Sequence, residues 1–167
     1  RDKEYDLSGV CLDQQIIAPL AIEKTGIAQY ERGVARSGKV ISAEILSGTK
    51  EKIESLLKKF HYVGMFDMDL NLCGGKVYFG EINFRSGGLN FAYYLSGVNF
   101  PAIFIKGICG EKLVLEDIST DTLGKTFVYE KVVWEDYIYN YINRQELRKY
   151  IRSVDFKLLE NDEDPMP

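Results

Sequence analysis

The chain has 167 residues, of which 46% are hydrophobic and 28% are charged, so it can bury an ordinary globular core. The net charge of -4 argues against general nucleic-acid affinity, and the single histidine excludes zinc sites built from several histidines. No apolar run is long enough to span a membrane. We therefore expect one cytoplasmic domain over residues 1–167, with reduced cysteines and a mobile acidic tail at 160–167.

The first 60 residues predict strands followed by a helix. The expected elements are a hairpin of strands at 5–12 and 16–23, a polar loop at 24–36, a strand at 39–46 and a helix at 49–60. The helix is indicated by Ile53, Leu56, Leu57 and Phe60, which follow the i, i+3, i+4, i+7 spacing of an apolar face. Thr49 is the expected N-cap of this helix.

Two alternating stretches then predict a second hairpin. In residues 66–72, Asp67, Asp69 and Asn71 alternate with apolar side chains, which is the signature of a half-buried strand. A Gly74-Gly75 turn separates this stretch from the next one.

The second stretch, residues 77–85, places Glu81, Asn83 and Arg85 on one face. A hairpin brings this face next to that of the first stretch, so carboxylate and amide oxygens are expected to converge beside an arginine. Hard oxygen donors without histidine or cysteine favour Mg²⁺ or Mn²⁺. The guanidinium could contact phosphate oxygens, and Gly87 and Gly88 follow at once in a stretch able to aim backbone N–H groups at an anion. The alternative is an antiparallel hairpin whose polar face is merely solvated.

The rest of the chain predicts a mixture of helices and short strands. The expected elements are a helix at 90–95, a helix from Pro101 to 107 or 110, a strand at 126–134, a helix at 143–152 and a strand at 155–159. The fold class expected from all of these elements is α+β, with a largely antiparallel sheet backed by helices.

The order of these residues resembles the metal-binding end of ATP-grasp enzymes, nearest to the D-aspartate ligase-like carboxylate–amine ligases. The resemblance is carried by Gly64-x-x-Asp67, the Gly75-Lys76 turn and Tyr78-Phe79-x-Glu81-Ile82-Asn83-x-Arg85. A weaker similarity continues through Gly97 to Pro101 and the tail at 164–167. The resemblance as a whole implies that the chain is the C-terminal part of an ATP-grasp domain.

The resemblance also implies roles for individual residues. Asp67, Glu81 and Asn83 would hold Mg²⁺ against the phosphates of ATP, although Asp69 could take the place of Asp67. Arg85 would act catalytically beside the transferred phosphate. Gly87 and Gly88 would lie where the acceptor substrate binds.

Two further residues are nucleotide-binding candidates on the same resemblance. Lys24 ends a predicted strand and could reach the phosphates from before the metal hairpin, or it could be a solvated loop cation. Glu4 begins the first strand, where relatives place a glutamate near the nucleotide, or it could be an edge charge.

The implied function is ATP-dependent ligation of a carboxylate to an amine through an acyl phosphate. A carbamoyl-phosphate synthase or carboxylase-type enzyme, or a non-enzymatic interaction module, remains open as an alternative. Only about 60 residues precede the hairpin, which leaves no room for a nucleotide-gripping subdomain. We therefore expect a C-terminal fragment of a longer chain, inactive alone, whose partners are a nucleotide, a small carboxylate or amine substrate, and the missing N-terminal half.

Overall fold

The computed structural model describes residues 2–30, 33–46, 48–113 and 123–160. The strands in these ranges are β1 (Lys3–Leu12), β2 (Gln15–Ile27), β3 (Ala35–Ser42), β4 (Gly64–Cys73), β5 (Lys76–Asn83), β6 (Thr126–Val128) and β7 (Phe156–Lys157). The helices are α1 (Thr49–Lys59), α2 (Asn90–Leu95), α3 (Phe100–Ile108), α4 (Glu130–Ile138) and α5 (Arg144–Arg152). The strands form one mixed sheet in the order β5-β4-β1-β2-β3-β6-β7, which confirms the predicted α+β class.

The chain divides into two compact units. Unit 1 contains residues 1–23 and 40–123, and unit 2 contains residues 24–39 and 124–167. Strands β2 and β3 each have one end in each unit.

The core of unit 1 lies between its strands and α1. β1 pairs antiparallel with β4, and this register places Leu7 opposite Met68. Ile53 and Leu57 of α1 are fully buried in the same cluster, as their helical spacing predicts. Burial of each of these side chains stabilises the unit by about 1.5–3 kcal/mol.

Both predicted hairpin turns are present. Asp13 and Gln14 connect β1 to β2, and both have positive φ. Gly74 and Gly75, with φ of 54° and 74°, connect β4 to β5. Positive φ at both central residues is what a two-residue type I′ turn requires, and glycine adopts it without steric cost.

Helices α2 and α3 form a short pair after β5. The predicted helix at 90–95 is confirmed, and α3 begins beside Pro101 as expected. The Asn99 side chain caps α3 by accepting a hydrogen bond from the Ala102 N–H at 3.0 Å. The rings of Tyr93 and Phe100 pack edge to face with centroids 5.2 Å apart.

Unit 2 contains a buried ion pair. The polar loop predicted at 24–36 is wrong at both ends, where the structure has strands. Arg36 donates to Asp136 at 2.9 Å, and the Asp136 side chain is fully buried. The same carboxylate accepts the backbone N–H groups of Gln29 and Tyr30. β2 continues to Ile27 and β3 already begins at Ala35, and Arg36 of β3 is buried against the Asp136 carboxylate.

The strand predicted at 126–134 is also wrong beyond Val128. The chain turns into α4 at Glu130, whose carboxylate accepts backbone N–H groups of residues 158–160. Val132 and Val133 are consecutive buried residues, which a broad apolar helix face permits and a half-exposed strand does not.

The remaining differences concern element ends. The strand predicted at 39–46 stops at Ser42, where a 3₁₀ turn begins. The residue that precedes α1 is Gly48 in a left-handed conformation, and buried Thr49 makes no capping hydrogen bond. The helix predicted at 143–152 is confirmed, whereas the last strand is limited to 156–157.

Three sequence expectations concern cysteines, membranes and the tail. All three cysteines are free thiols, as predicted. No helix among the described residues is long and apolar enough to cross a membrane. Residues 161–167 of the predicted tail lie outside the described residues.

Candidate functional site

The candidate site lies on the β4–β5 hairpin of unit 1. The antiparallel register places Asp67 directly opposite Asn83 and Met68 opposite Ile82. Directly paired residues share a face of the sheet and have their Cβ atoms about 4.5–5.5 Å apart. An acidic and an amide side chain therefore meet on the face predicted for metal binding.

A β-bulge interrupts this register next to the paired residues. Leu70 pairs with Phe79, so Gly80 and Glu81 of β5 together oppose Asp69. A Cβ on Gly80 would lie 3.0 Å from the Asp69 carbonyl oxygen, tighter than an ordinary contact, so glycine suits this bulge. The extra residue lets Ile82 continue the apolar face that Phe79 occupies before the bulge, and Glu81 is left exposed beside Asn83.

Strand β1 extends the polar face by a third strand. Its register with β4 places Glu4 opposite Asn71, Asp6 opposite Asp69 and Ser8 opposite Asp67. The nucleotide-binding candidate Glu4 therefore shares the face of the metal-binding candidate Asp67.

Buried hydrogen bonds connect β1 to the site. Ser8 Oγ lies 3.0 Å from Asp67 Oδ1 and 3.3 Å from Asp6 Oδ1. Tyr93 Oη of α2 donates to Asp6 Oδ1 at 2.8 Å. All four side chains are buried, with exposed fractions of 7% or less. Burial, followed by the charge of Asp6, raises the pKa of Tyr93 well above its usual value, so this phenol remains a donor at neutral pH.

Asp67 also packs against the loop that follows β5. A Cβ built on Gly87 would overlap the Asp67 carboxylate, whereas a Cβ on Gly88 would meet no atom within 4 Å. Neither glycine has a positive φ. Of the two predicted glycines, only Gly87 has to be glycine, because the Asp67 carboxylate lies where its side chain would be.

Arg85 contacts Asn83, the residue that lies opposite Asp67. Its Nη2 donates to Asn83 Oδ1 at 3.3 Å and its Nη1 donates to the Ser86 carbonyl oxygen at 3.0 Å. The arginine is exposed, so its guanidinium can exchange these partners for an anion.

The donor set fits a hard divalent cation. Among the described residues no three histidine, cysteine, aspartate or glutamate side chains form a group that could hold a metal ion. The predicted set instead has the carboxylates of Asp67 and Glu81 and the amide of Asn83. Mg²⁺ commonly takes one or two protein carboxylates and fills its other positions with water and phosphate oxygens, so this set is sufficient.

A further oxygen on the same face has no protein partner. Asn71 Oδ1 is buried and accepts no hydrogen bond within the part of the chain that the structure describes. Because Asn71 lies opposite Glu4, the polar face continues along β1 and β4 away from Asp67.

The last two residues predicted for the site are Lys24 and Asp69. Lys24 is half-buried within β2, three residues before the strand ends at Ile27, and it belongs to unit 2. The prediction that it ends a strand is wrong, and its contact with phosphate stays a prediction. Asp69 lies opposite the bulge, whereas Asp67 pairs directly with Asn83. The register therefore favours Asp67 over Asp69 as the first metal-binding candidate.

Sequence reasoning missed Asp6, Ser8 and Tyr93. The alternation of Glu4, Asp6 and Ser8 with Tyr5 and Leu7 was the available signal, because it gives β1 a polar face. Tyr93 gave no such signal, since a tyrosine in a short helix is an ordinary core residue.

Searches of protein-family models and of curated proteins find no match to this chain. Solved structures do match. A phosphoribosylglycinamide synthetase from Anaerococcus prevotii has a TM-score of 0.56 and 15% identity, with 74% of this chain and 33% of that chain covered.

Two further structures are similar at the same level. An N5-carboxyaminoimidazole synthase from Aspergillus clavatus, in complex with ADP and 5-aminoimidazole ribonucleotide, has a TM-score of 0.53 and 14% identity over 70% of this chain and 31% of that chain. The biotin carboxylase domain of a thermophilic 2-oxoglutarate carboxylase, bound to bicarbonate, has a TM-score of 0.53 and 16% identity over 74% and 29%.

All three are ATP-grasp enzymes, and this chain shares their fold. The ATP-grasp resemblance inferred from the residues of the β4–β5 hairpin is confirmed at the level of the fold. The chain spans about a third of the length of each of these proteins.

Proposed function

We propose that this chain carries the metal- and phosphate-binding part of an ATP- and Mg²⁺-dependent ligase that joins a carboxylate to an amine. The observation that supports it most is the Asp67–Asn83 pair, with Arg85 bonded to Asn83, on a hairpin of an ATP-grasp fold. The chemistry of the residues supports a metal and phosphate site, and the similarity of the fold supports the reaction class.

Asp67, Glu81 and Asn83 would hold Mg²⁺ or Mn²⁺ on the hairpin face. These residues would thereby place positive charge beside the phosphates, which is the chemistry that a divalent ion supplies to phosphoryl transfer. Asp67 is already oriented by Ser8 and confined by Gly87. Asn83 Oδ1 would exchange its hydrogen bond from Arg85 for the metal.

Arg85 is the proposed catalytic residue because its exposed guanidinium lies beside the metal ligands. Once released from Asn83, its N–H groups can donate to the phosphoryl group under transfer. Charge on that group changes during the reaction, so the arginine acts mainly in the transition state.

The remaining predicted residues would bind substrates. Glu4 shares the hairpin face and Lys24 provides a cation on β2, and both are proposed to contact ATP. The backbone of Gly87 and Gly88 is proposed to approach the anionic substrate. The adenine-gripping contacts would come from an N-terminal ATP-grasp half.

The proposed reaction has two steps. A carboxylate oxygen attacks the γ-phosphorus of ATP, the bond to the β-phosphate oxygen breaks, and ADP leaves with that electron pair. The amine then attacks the acyl carbon of the acyl phosphate, inorganic phosphate leaves, and the amine loses a proton.

An ADP-release assay tests this proposal with an intact polypeptide that contains the chain. Small carboxylates and amines are supplied in pairs with Mg²⁺, and hydroxylamine replaces the amine in a parallel set. We expect ADP release that requires a carboxylate, and an acyl hydroxamate in the hydroxylamine set. ADP release with no dependence on any carboxylate would contradict the proposal.

Bicarbonate is a second candidate acceptor for the same site. The similarity to a biotin carboxylase domain bound to bicarbonate favours it. Bicarbonate-dependent ADP release without a response to organic carboxylates would select this alternative.

A further inference from the structure

Two buried carboxylates near the candidate site share a small number of hydroxyl donors. Asp6 and Asp67 are 4% and 7% exposed, and Ser8 Oγ lies within hydrogen-bond distance of both. A serine hydroxyl has a single proton, so it donates to one of these carboxylates at a time.

The position of Tyr93 favours Asp67 as the acceptor of that proton, since Tyr93 Oη lies 2.8 Å from Asp6 Oδ1 and 3.1 Å from the Asp6 carbonyl oxygen. Its hydroxyl donates to Asp6 at 2.8 Å, a shorter contact than the 3.3 Å between Ser8 Oγ and Asp6. Because Asp6 already has a donor, the serine proton is available to Asp67 at 3.0 Å. The pairing of each carboxylate with its own hydroxyl avoids a buried charge without a hydrogen bond.

The hydrogen bond also distinguishes the two oxygens of the Asp67 carboxylate. Within the part of the chain that the structure describes, hydrogen bonds reach this carboxylate only at Oδ1. Gly87 packs against the same carboxylate and limits its rotation. Oδ2 therefore keeps its lone pairs for another ligand.

We propose that Ser8 is a positioning residue that orients the Asp67 carboxylate for a divalent cation, and that Tyr93 supports it by holding Asp6. This inference rests on the proposed function, since it assigns a task to residues behind the metal face. Removal of a group that orients a metal ligand commonly costs about 10-fold or more in metal affinity.

Paramagnetic broadening by Mn²⁺ alone tests the proposal without any catalytic assay. Backbone amide spectra of the chain are recorded during Mn²⁺ titration for wild type, Ser8→Ala, Ser8→Thr and Tyr93→Phe. The matched control is Ser96→Ala, because Ser96 is 1% exposed in the same unit and its hydroxyl donates to the Ala92 carbonyl oxygen. The metal-free spectrum of each variant reports whether it is folded.

We expect Ser8→Ala to raise the Mn²⁺ dissociation constant at the Asp67 and Asn83 amides by about 10-fold. Tyr93→Phe should raise it by a smaller factor, while Ser8→Thr, which keeps the hydroxyl, and Ser96→Ala should remain near wild type. A folded Ser8→Ala variant with wild-type affinity would overturn the proposal. Equal weakening in folded Ser8→Ala and Ser8→Thr would also overturn it, because the hydroxyl would then not be the cause.

The titration separates this inference from the proposed function. Wild-type broadening at Asp67 and Asn83 with unchanged variants would remove the role of Ser8 and leave the metal site intact. Absence of broadening at these residues in wild type would contradict the metal site itself, and this inference with it.

Discussion

Gly87 and Gly88 show how two adjacent residues of one type can have different tasks. The sequence predicted the same role for both, as backbone that approaches an anion. The structure adds that Gly87 must lack a side chain, because a Cβ there would overlap the Asp67 carboxylate. A single sequence does not reveal this constraint, since Asp67 is 20 positions away along the chain.

Gly87→Ala should therefore destabilise unit 1 by about 1–3 kcal/mol and weaken Mn²⁺ binding, because either the loop or the carboxylate has to move. Gly88→Ala is the matched control and should change the free energy of unfolding by less than about 0.5 kcal/mol. Urea denaturation and Mn²⁺ titration of both variants provide the measurement. Equal effects at the two positions would contradict the close approach of Gly87.

Arg85→Ala should lower kcat by on the order of 10²-fold or more in an active enzyme that contains this chain, with a much smaller change in KM for ATP. The reason is that its guanidinium is expected to stabilise charge that develops only during transfer. Arg85→Lys should restore part of kcat, since an ammonium lacks the bidentate fork. Steady-state kinetics is the measurement, and wild-type kcat in Arg85→Ala would reduce Arg85 to a solvated charge.

At the scale of elements, the hairpin that carries the site was predictable and its bulge was not. Alternation and the Gly74-Gly75 turn are local signals, and both are confirmed by β4 and β5. The bulge at Gly80 and Glu81 depends on which residues pair across the strands. Pairing of this kind is decided by packing over the whole sheet, so alternation in one strand does not predict it.

The two wrongly predicted segments have a common cause. Residues 24–36 were expected to be a loop because they are polar, and 126–134 a strand because they alternate. In the structure Asp136 pairs with Arg36 Nη1 and accepts two backbone N–H groups, all from 100 or more positions away. Such partners are decided by tertiary structure, which overrides local composition.

The N-terminus of α5 illustrates a local signal that the sequence does carry. Asn143 accepts hydrogen bonds from the Gln145 and Glu146 N–H groups, and the Glu146 carboxylate accepts the Asn143 N–H at 2.8 Å. This reciprocal arrangement is a capping box.

Asn143→Ala should lower the free energy of unfolding of unit 2 by about 1 kcal/mol, because two N–H groups of the first helical turn lose their acceptor. Gln145→Ala is the control, since Gln145 is exposed in the same turn and contributes its backbone N–H to the cap, which alanine keeps. Thermal or urea denaturation gives the difference. An Asn143→Ala variant as stable as Gln145→Ala would show that the cap contributes nothing.

At the scale of the whole molecule, the set of predicted elements was sufficient to predict the fold class, and the residues of the β4–β5 hairpin were sufficient for the ATP-grasp resemblance. Solved ATP-grasp structures at 14–16% identity share the fold although no family model matches the sequence. The division into two compact units and the pairing of β1 with β4 were not predictable, because both depend on contacts between residues far apart in sequence.

We propose that Asp67, Glu81 and Asn83 hold a divalent cation beside Arg85. Anomalous diffraction from crystals of the chain soaked in Mn²⁺ and a non-hydrolysable ATP analogue tests it most directly. We predict a manganese peak within about 2.5 Å of side-chain oxygens of Asp67, Glu81 and Asn83, with a phosphate oxygen as a further ligand. Phosphate density with no manganese peak at these side chains, or manganese bound elsewhere on the chain, would contradict the claim.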